Sequence, residues 1–261
     1  MWIDSHCHLY NCSSTELASL YEQAARHRVT TLVTTATDVP TSMEVQKQVL
    51  QGSTTLSLYG ACGISPESAL REAHAADIET LSSLVDTPGI IAIGEIGMDG
   101  IQNAYPPMAQ QEKLFRRQLR LAKTKDLPVI LHSRGVERHV LNILQEEEIH
   151  RALFHCYTGD AETARSICNS GYHISFSGII TFKNAHFDTV IRACDPAKIL
   201  IETDSPYLSP EPYRGKANTP QNAYLIGKYI ATVLGISEKT AAEIFQKTFS
   251  SLFGTPAPNF S

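Results

Sequence analysis

The stretch Met1-Trp2-Ile3-Asp4-Ser5-His6-Cys7-His8-Leu9 sets two histidines one residue apart among apolar and strand-forming neighbours. Side chains alternate along a strand, so His6 and His8 project from one face and can grip a single metal ion. Trp2, Ile3 and Leu9 favour a short buried strand that gives way to polar chain at Tyr10-Asn11-Cys12-Ser13-Ser14. The pair is therefore expected at the strand's C-terminal end. Taken alone, the motif reads equally well as two unrelated loop histidines, and the rest of the chain has to decide.

Working outward, apolar β-rich runs recur at 30–35, 56–64, 90–96, 129–132, 152–155, 172–176 and 198–203, which with the first makes eight strands. Helical patterns fall between them at 15–26 (with Ser14 as cap), 42–50, 78–85, 109–125, 136–145, 161–169 and 186–194, and two more close the chain at 221–234 and 237–252. A chain of 261 residues suits an α/β barrel, which needs about 250. Eight strands alternating with helices, without a break in composition, predict a TIM (β/α)8 barrel with C-terminal helices, as one domain over 1–261. The alternative, a doubly wound open sheet, calls for a Gly-rich phosphate loop after the first strand, and His6-Cys7-His8-Leu9-Tyr10 offers none.

Composition narrows the function. Neither a long apolar run nor a basic, then apolar, leader is readable, so no membrane association is expected and a cytoplasmic location is the default. The six cysteines form no Cys-x-x-Cys pair and read as small buried residues of a reducing compartment. A net charge of −5 argues against a protein that coats nucleic acid electrostatically. It leaves open nucleic acid held in a cleft where divalent metals supply the positive charge. No obligatory protein partner is readable.

In a barrel the C-terminal strand ends converge on one rim. His6 and His8 end the first strand, Glu95 the fourth, His132 the fifth and His155 the sixth, while Asp204 follows the eighth. Four imidazoles and two carboxylates can hold two divalent ions, with His6, His8 and Asp204 on one, His132 and His155 on the other, and Glu95 bridging. The chemistry such a set supports is hydrolysis by metal-activated water. Glu202 lies two residues before Asp204, so in a continuing strand it faces inward too, either to orient a ligand or as a buried structural carboxylate.

The motifs Asp4-Ser5-His6-Cys7-His8-Leu9, Gly94-Glu95-Ile96-Gly97-Met98-Asp99, Leu131-His132-Ser133-Arg134, His155-Cys156-Tyr157-Thr158-Gly159 and Glu202-Thr203-Asp204-Ser205-Pro206-Tyr207-Leu208, in this order, resemble the TatD family of metal-dependent hydrolases. The run from Gly171 through Phe182 and Pro212-Tyr213-Arg214-Gly215-Lys216-Ala217-Asn218 extend the resemblance over nearly the whole chain. The resemblance implies an amidohydrolase-type TIM barrel and a divalent metal centre of Zn, Mg or Mn ions. His6, His8, Glu95, His132, His155 and Asp204 would be its ligands, with Glu95 and Asp204 also catalytic and Asp204 accepting the proton of the attacking water. Amidohydrolase relatives often bridge their metals with a carboxylated lysine; Glu95 stands there instead. The family usually carries Gly-x-His-Pro after the third strand, whereas this chain reads Gly63-Ile64-Ser65-Pro66. Ser65 can donate a hydrogen bond to substrate but cannot act as an imidazole.

The implied activity is that of a deoxyribonuclease, a hydrolase of ester bonds acting from a DNA end or on single strands, with DNA or another phosphoester as partner. Arg134 and Arg214 are the candidate phosphate contacts, because a guanidinium matches phosphate oxygens with paired donors; Lys183 is a weaker one. The same cage suits ester or amide hydrolysis, as in a D-aminoacyl-tRNA deacylase, and the Ser65 departure admits a weakly catalytic protein that binds metal and ligand.

Overall fold

The apolar runs form eight parallel strands: β1 (Trp2–Cys7), β2 (Val29–Thr35), β3 (Ser57–Cys62), β4 (Ile90–Asp99), β5 (Val129–Arg134), β6 (Ala152–Phe154), β7 (His173–Phe176) and β8 (Ile199–Ile201). They pair in chain order into one sheet that curls into a nearly closed barrel, as the sequence predicts for a TIM fold. The computed structural model describes residues 1–70 and 75–255. Helices α1 (Ser14–Arg26), α2 (Val39–Gln51), α3 (Ala75–Leu84), α4 (Met108–Lys125), α5 (Glu137–Glu146), α6 (Ala161–Asn169) and α7 (Asp188–Ala193) occupy the crossovers, and α8 (Ala223–Leu234) and α9 (Glu238–Phe253) follow β8.

The element boundaries depart from expectation where capping or pairing outweighs hydrophobic pattern. Ser13, not Ser14, caps α1, because its hydroxyl accepts the Glu16 N–H while Glu16 reaches back to the Ser13 N–H. Helix α2 begins three residues early on the Asp38 cap, whose carboxylate accepts the Thr41 N–H at 2.8 Å. Strands β4 and β5 run past Glu95 and His132 to Asp99 and Arg134, since their ladder continues through Gly97 opposite His132 and Asp99 opposite Arg134. Gly97 is required there. Its φ is +136°, and a Cβ would stand 2.0 Å from the His132 carbonyl oxygen.

The seam between β8 and β1 is held by individual bonds. The carboxylate of Asp4, fully buried, takes the Thr203 N–H at 2.9 Å and the Thr203 hydroxyl at 2.6 Å. The Ser5 hydroxyl donates to the Ile201 carbonyl at 2.9 Å, and the Asp204 N–H donates to the His6 carbonyl at 3.0 Å. The opposite end of β1 packs on the last two helices. Trp2 lies 6.4 Å from the Phe245 ring of α9 and presses so closely on α8 that a Cβ at Gly227 would fall 2.4 Å from the indole.

Candidate metal centre

Six side chains from five strand ends meet at the C-terminal rim. His6 lies in β1 and His8 just beyond it; Glu95 projects from β4, His132 from β5, His155 follows β6, and Asp204 comes three residues after β8. Glu95 is central: Oε2 is 3.6 Å from His6 Nε2 and 3.5 Å from His8 Nε2, while Oε1 is 2.8 Å from His132 Nδ1 and 3.3 Å from His155 Nε2. Asp204 Oδ1 lies 3.2 Å from His8 Nε2 and 3.6 Å from His6 Nε2. Asp204 has a left-handed backbone, φ 55°, uncommon outside glycine and frequent at functional positions.

Ligand-type atoms gather into three groups, each within 4.8 Å: His6, His8 and Glu95; Glu95, His132 and His155; and His6, His155 and Asp204. The first two share Glu95, as a bridging carboxylate would. The third crosses the expected division, because the His6 and His155 rings stack with centroids 3.9 Å apart.

The donor set fits a cation. His8 Nδ1 is 2.9 Å from the Thr35 carbonyl, which can only accept, so Nδ1 carries a hydrogen and Nε2 is the atom turned inward, free to offer its lone pair to a cation when the ring is neutral. That nitrogen meets Asp204, Glu95 and, at 3.2 Å, His6 Nε2. His6 Nδ1 is buried with no partner among the described residues. Acceptors converging on acceptors need protons or a metal between them.

The proton affinities reflect this. Burial, with His155 and His8 beside it, holds His6 well below the usual histidine range. At His8 burial is outweighed by the bond to Asp204, and at His132 by the bonds to Asp99 and Glu95, so both lie above it. His155 is pushed well up, because the charges of Glu95 and Glu202 override its burial. Glu95 is held well below the carboxylate range by His155 and His132, against the effect of burial. At Asp4 burial prevails over the Thr203 bonds and raises the carboxyl to about 8.

Glu202 is buried as expected, although β8 ends before it. Its Oε1 lies 3.3 Å from His155 Nδ1, and Oε2 takes the Ser175 hydroxyl. The sequence motifs single out no role for Asp99, yet its Oδ2 stands 2.9 Å from His132 Nε2. The signal available was its spacing, four residues after Glu95 with Gly97 between.

The candidate substrate residues are placed less decisively. Arg134 ends β5 with Nη2 3.5 Å from Cys156 Sγ, next to His155. Arg214 is exposed and stacks 4.4 Å over the Phe182 ring, and none of the six cluster residues is among its contacts. Ser65 is buried after β3; its N–H donates to the Thr37 carbonyl at 2.8 Å, and no described residue bonds its hydroxyl. Lys183 is exposed. No described helix is long and apolar enough to cross a membrane.

Fold and rim together define a (β/α)8 barrel hydrolase of the metal-dependent class. The family model described as TatD related DNase matches residues 3–254, and the chain belongs to that family. The metal-dependent hydrolase YcfH of Escherichia coli K12, described as uncharacterized, is 32% identical over 258 residues, covering 96% of this chain and 95% of its own. YabD of Bacillus subtilis, described in the same way, is 33% identical over 258 residues, covering 97% and 99%. Among solved structures, the TatD homologue YjjV of Escherichia coli superposes with a TM-score of 0.89 at 27% identity, covering 98% of each chain.

Proposed function

We propose that this metal-dependent hydrolase is a deoxyribonuclease that cleaves DNA phosphodiester bonds, acting from an end or on single strands. The observation that carries the reading is the convergence of His6, His8, His132, His155 and Asp204 on Glu95, with acceptor facing acceptor at the centre. The description of the matching family model, TatD related DNase, supports DNA as the substrate class.

His6, His8 and Asp204 would hold one divalent ion and His132 and His155 a second, with Glu95 shared. When bound, such ions lower the pKa of water and place positive charge beside the bond under attack. The chain's own groups do the rest. Asp204 Oδ1 accepts the proton of the attacking water, on the side of the cluster that His8 and His6 face. Arg134 offers paired N–H donors to a phosphate oxygen from the end of β5, beside Cys156. Arg214, exposed and held over Phe182, is the second guanidinium offered to the phosphate backbone. The Ser65 hydroxyl, with no partner among the described residues, donates to a substrate oxygen in place of the family's imidazole.

The test is turnover of metal-reconstituted protein on end-labelled single-stranded DNA, beside duplex DNA, a D-aminoacyl-tRNA and a simple ester. Trimming of the labelled strand that falls at least about 100-fold in Asp204→Asn is the expected result. Hydrolysis of the aminoacyl or simple ester without trimming would overturn the DNA reading and move the same cage to carbonyl chemistry.

A further inference from the structure

An imidazole that ligates through one nitrogen is oriented by whatever holds the other. The four rim histidines differ in this respect. His6 Nδ1 has no partner among the described residues, and His8 Nδ1 meets the neutral Thr35 carbonyl at 2.9 Å. His155 Nδ1 meets the Glu202 carboxylate at 3.3 Å, and His132 Nε2 meets the Asp99 carboxylate at 2.9 Å. Both carboxylate-braced rings belong to the group that closes on Glu95 Oε1.

The Asp99 brace is the firmer of the two. Its Oδ1 accepts the N–H of Ile101 at 2.8 Å and of Gln102 at 2.9 Å, which stops the carboxylate from rotating. Gln111 clamps the backbone, accepting the Asp99 N–H at 2.8 Å and donating to its carbonyl at 3.1 Å. His132 stands opposite Gly97, midway between Glu95 and Asp99, so its ring lies between two carboxylates on one strand. Both ring nitrogens face acceptors, Nε2 the Asp99 carboxylate and Nδ1 the Glu95 carboxylate at 2.8 Å; a cation held beside Glu95 would take the Nδ1 lone pair, and Asp99 would then keep the ring's one hydrogen on Nε2.

We infer that Asp99 is a positioning residue: it fixes His132 as an Nδ1 donor, as Glu202 fixes His155 as an Nε2 donor. Together they make the Glu95–His132–His155 group the tighter of two metal positions, so that metal fills the cluster in two unequal steps. The His6–His8–Asp204 side, with one ring unbraced and the other held by a neutral carbonyl, is the weaker. This inference rests on the metal reading above. Outer partners of metal-ligating histidines typically contribute about 10- to 100-fold in metal affinity.

Asp99→Asn is the sharpest probe. With the amide oxygen kept on the Ile101 and Gln102 N–H groups, the amide nitrogen faces His132 Nε2 and donates to it, which forces the hydrogen onto Nδ1 and blunts the ligand. The experiment titrates full-length, chelator-stripped protein with Co²⁺, following heat and visible absorption, for wild type, Asp99→Asn, Glu202→Gln and His8→Asn. Two steps are expected in wild type. In Asp99→Asn and Glu202→Gln the tighter step weakens about 10- to 100-fold and its absorption band shifts, while the weaker step is unchanged; His8→Asn loses the weaker step alone. Glu202→Gln acts from another strand and reads the same step should Asp99→Asn fold poorly. Equal steps in wild type, or a loss in the braced variants confined to the weaker step, would overturn the inference and leave the metal reading standing. A wild-type protein that binds no Co²⁺ would overturn both.

Discussion

His155 and His173 stand at opposite ends of the barrel, one just after β6 and the other opening β7, and the two ends treat the same side chain in opposite ways. Both are buried, at 5% and 7% exposure. His155 faces Glu95 and Glu202, whose charges override its burial and push its pKa well up. His173 is lowered to about 4 by burial and by Lys198, and its Nδ1 has no partner among the described residues. Burial opposes the imidazolium in both places; His155 has two carboxylates beside it, whereas the charged neighbour of His173 is the cation Lys198. The surroundings of His155 therefore favour positive charge and those of His173 disfavour it.

The charge balance of the rim depends most on Glu95. Glu95→Gln keeps the shape and removes the charge that draws the rim histidines together. Loss of metal from the purified protein and a fall in kcat/KM on single-stranded DNA on the order of 10³-fold are expected. Retained metal and turnover would mean that the rim charge is structural.

At the other end, the folded pKa of about 4 lies below the unfolded value near 6.5. The neutral ring's contribution is thus fully present above pH 6.5 and is lost as pH falls toward 4, by about 3 kcal/mol in all. His173→Leu should flatten the pH dependence of stability in that window by this amount, measured as the difference from wild type in urea melts. Parallel profiles would show that His173 is not held neutral.

A smaller effect is expected from Arg134→Ala, which removes a rim cation without touching the cluster. KM for DNA should rise about tenfold with metal content unchanged. The smallest concerns the whole surface. With a net charge of −5, and with Arg134 and Arg214 as the two phosphate contacts of the proposed function, the dependence of log affinity on log salt should be shallow, with a slope of about −1.4 for single strands. A slope several times steeper would reveal a basic track beyond Arg134 and Arg214.

Much of this was legible in sequence because it depends on local periodicity. His6 and His8 share a face by strand alternation, and eight apolar runs separated by helices permit few topologies. Residues that end barrel strands then meet whatever their distance along the chain, which is why six of them could be gathered without coordinates. Glu202 was legible for the same reason, although its strand stops one residue short of it. Asp99 was not, because its meaning depends on register: only the pairing of Gly97 with His132 brings the Asp99 carboxylate to the far nitrogen of the ring. Asp4 was equally silent, since its partner Thr203 is 199 residues away and the two meet only when the barrel closes.

The sequence by itself determined the barrel, its rim and the six residues gathered there, since periods of 2 and 3.6 and the identity of strand-end residues are written along the chain. Which nitrogen of each imidazole faces inward, which carboxylates brace them and how β8 is sewn to β1 were decided only by the tertiary structure. These depend on hydrogen bonds of about 3 Å between residues tens to hundreds of positions apart, and a bond that short requires a strand register that no local pattern specifies.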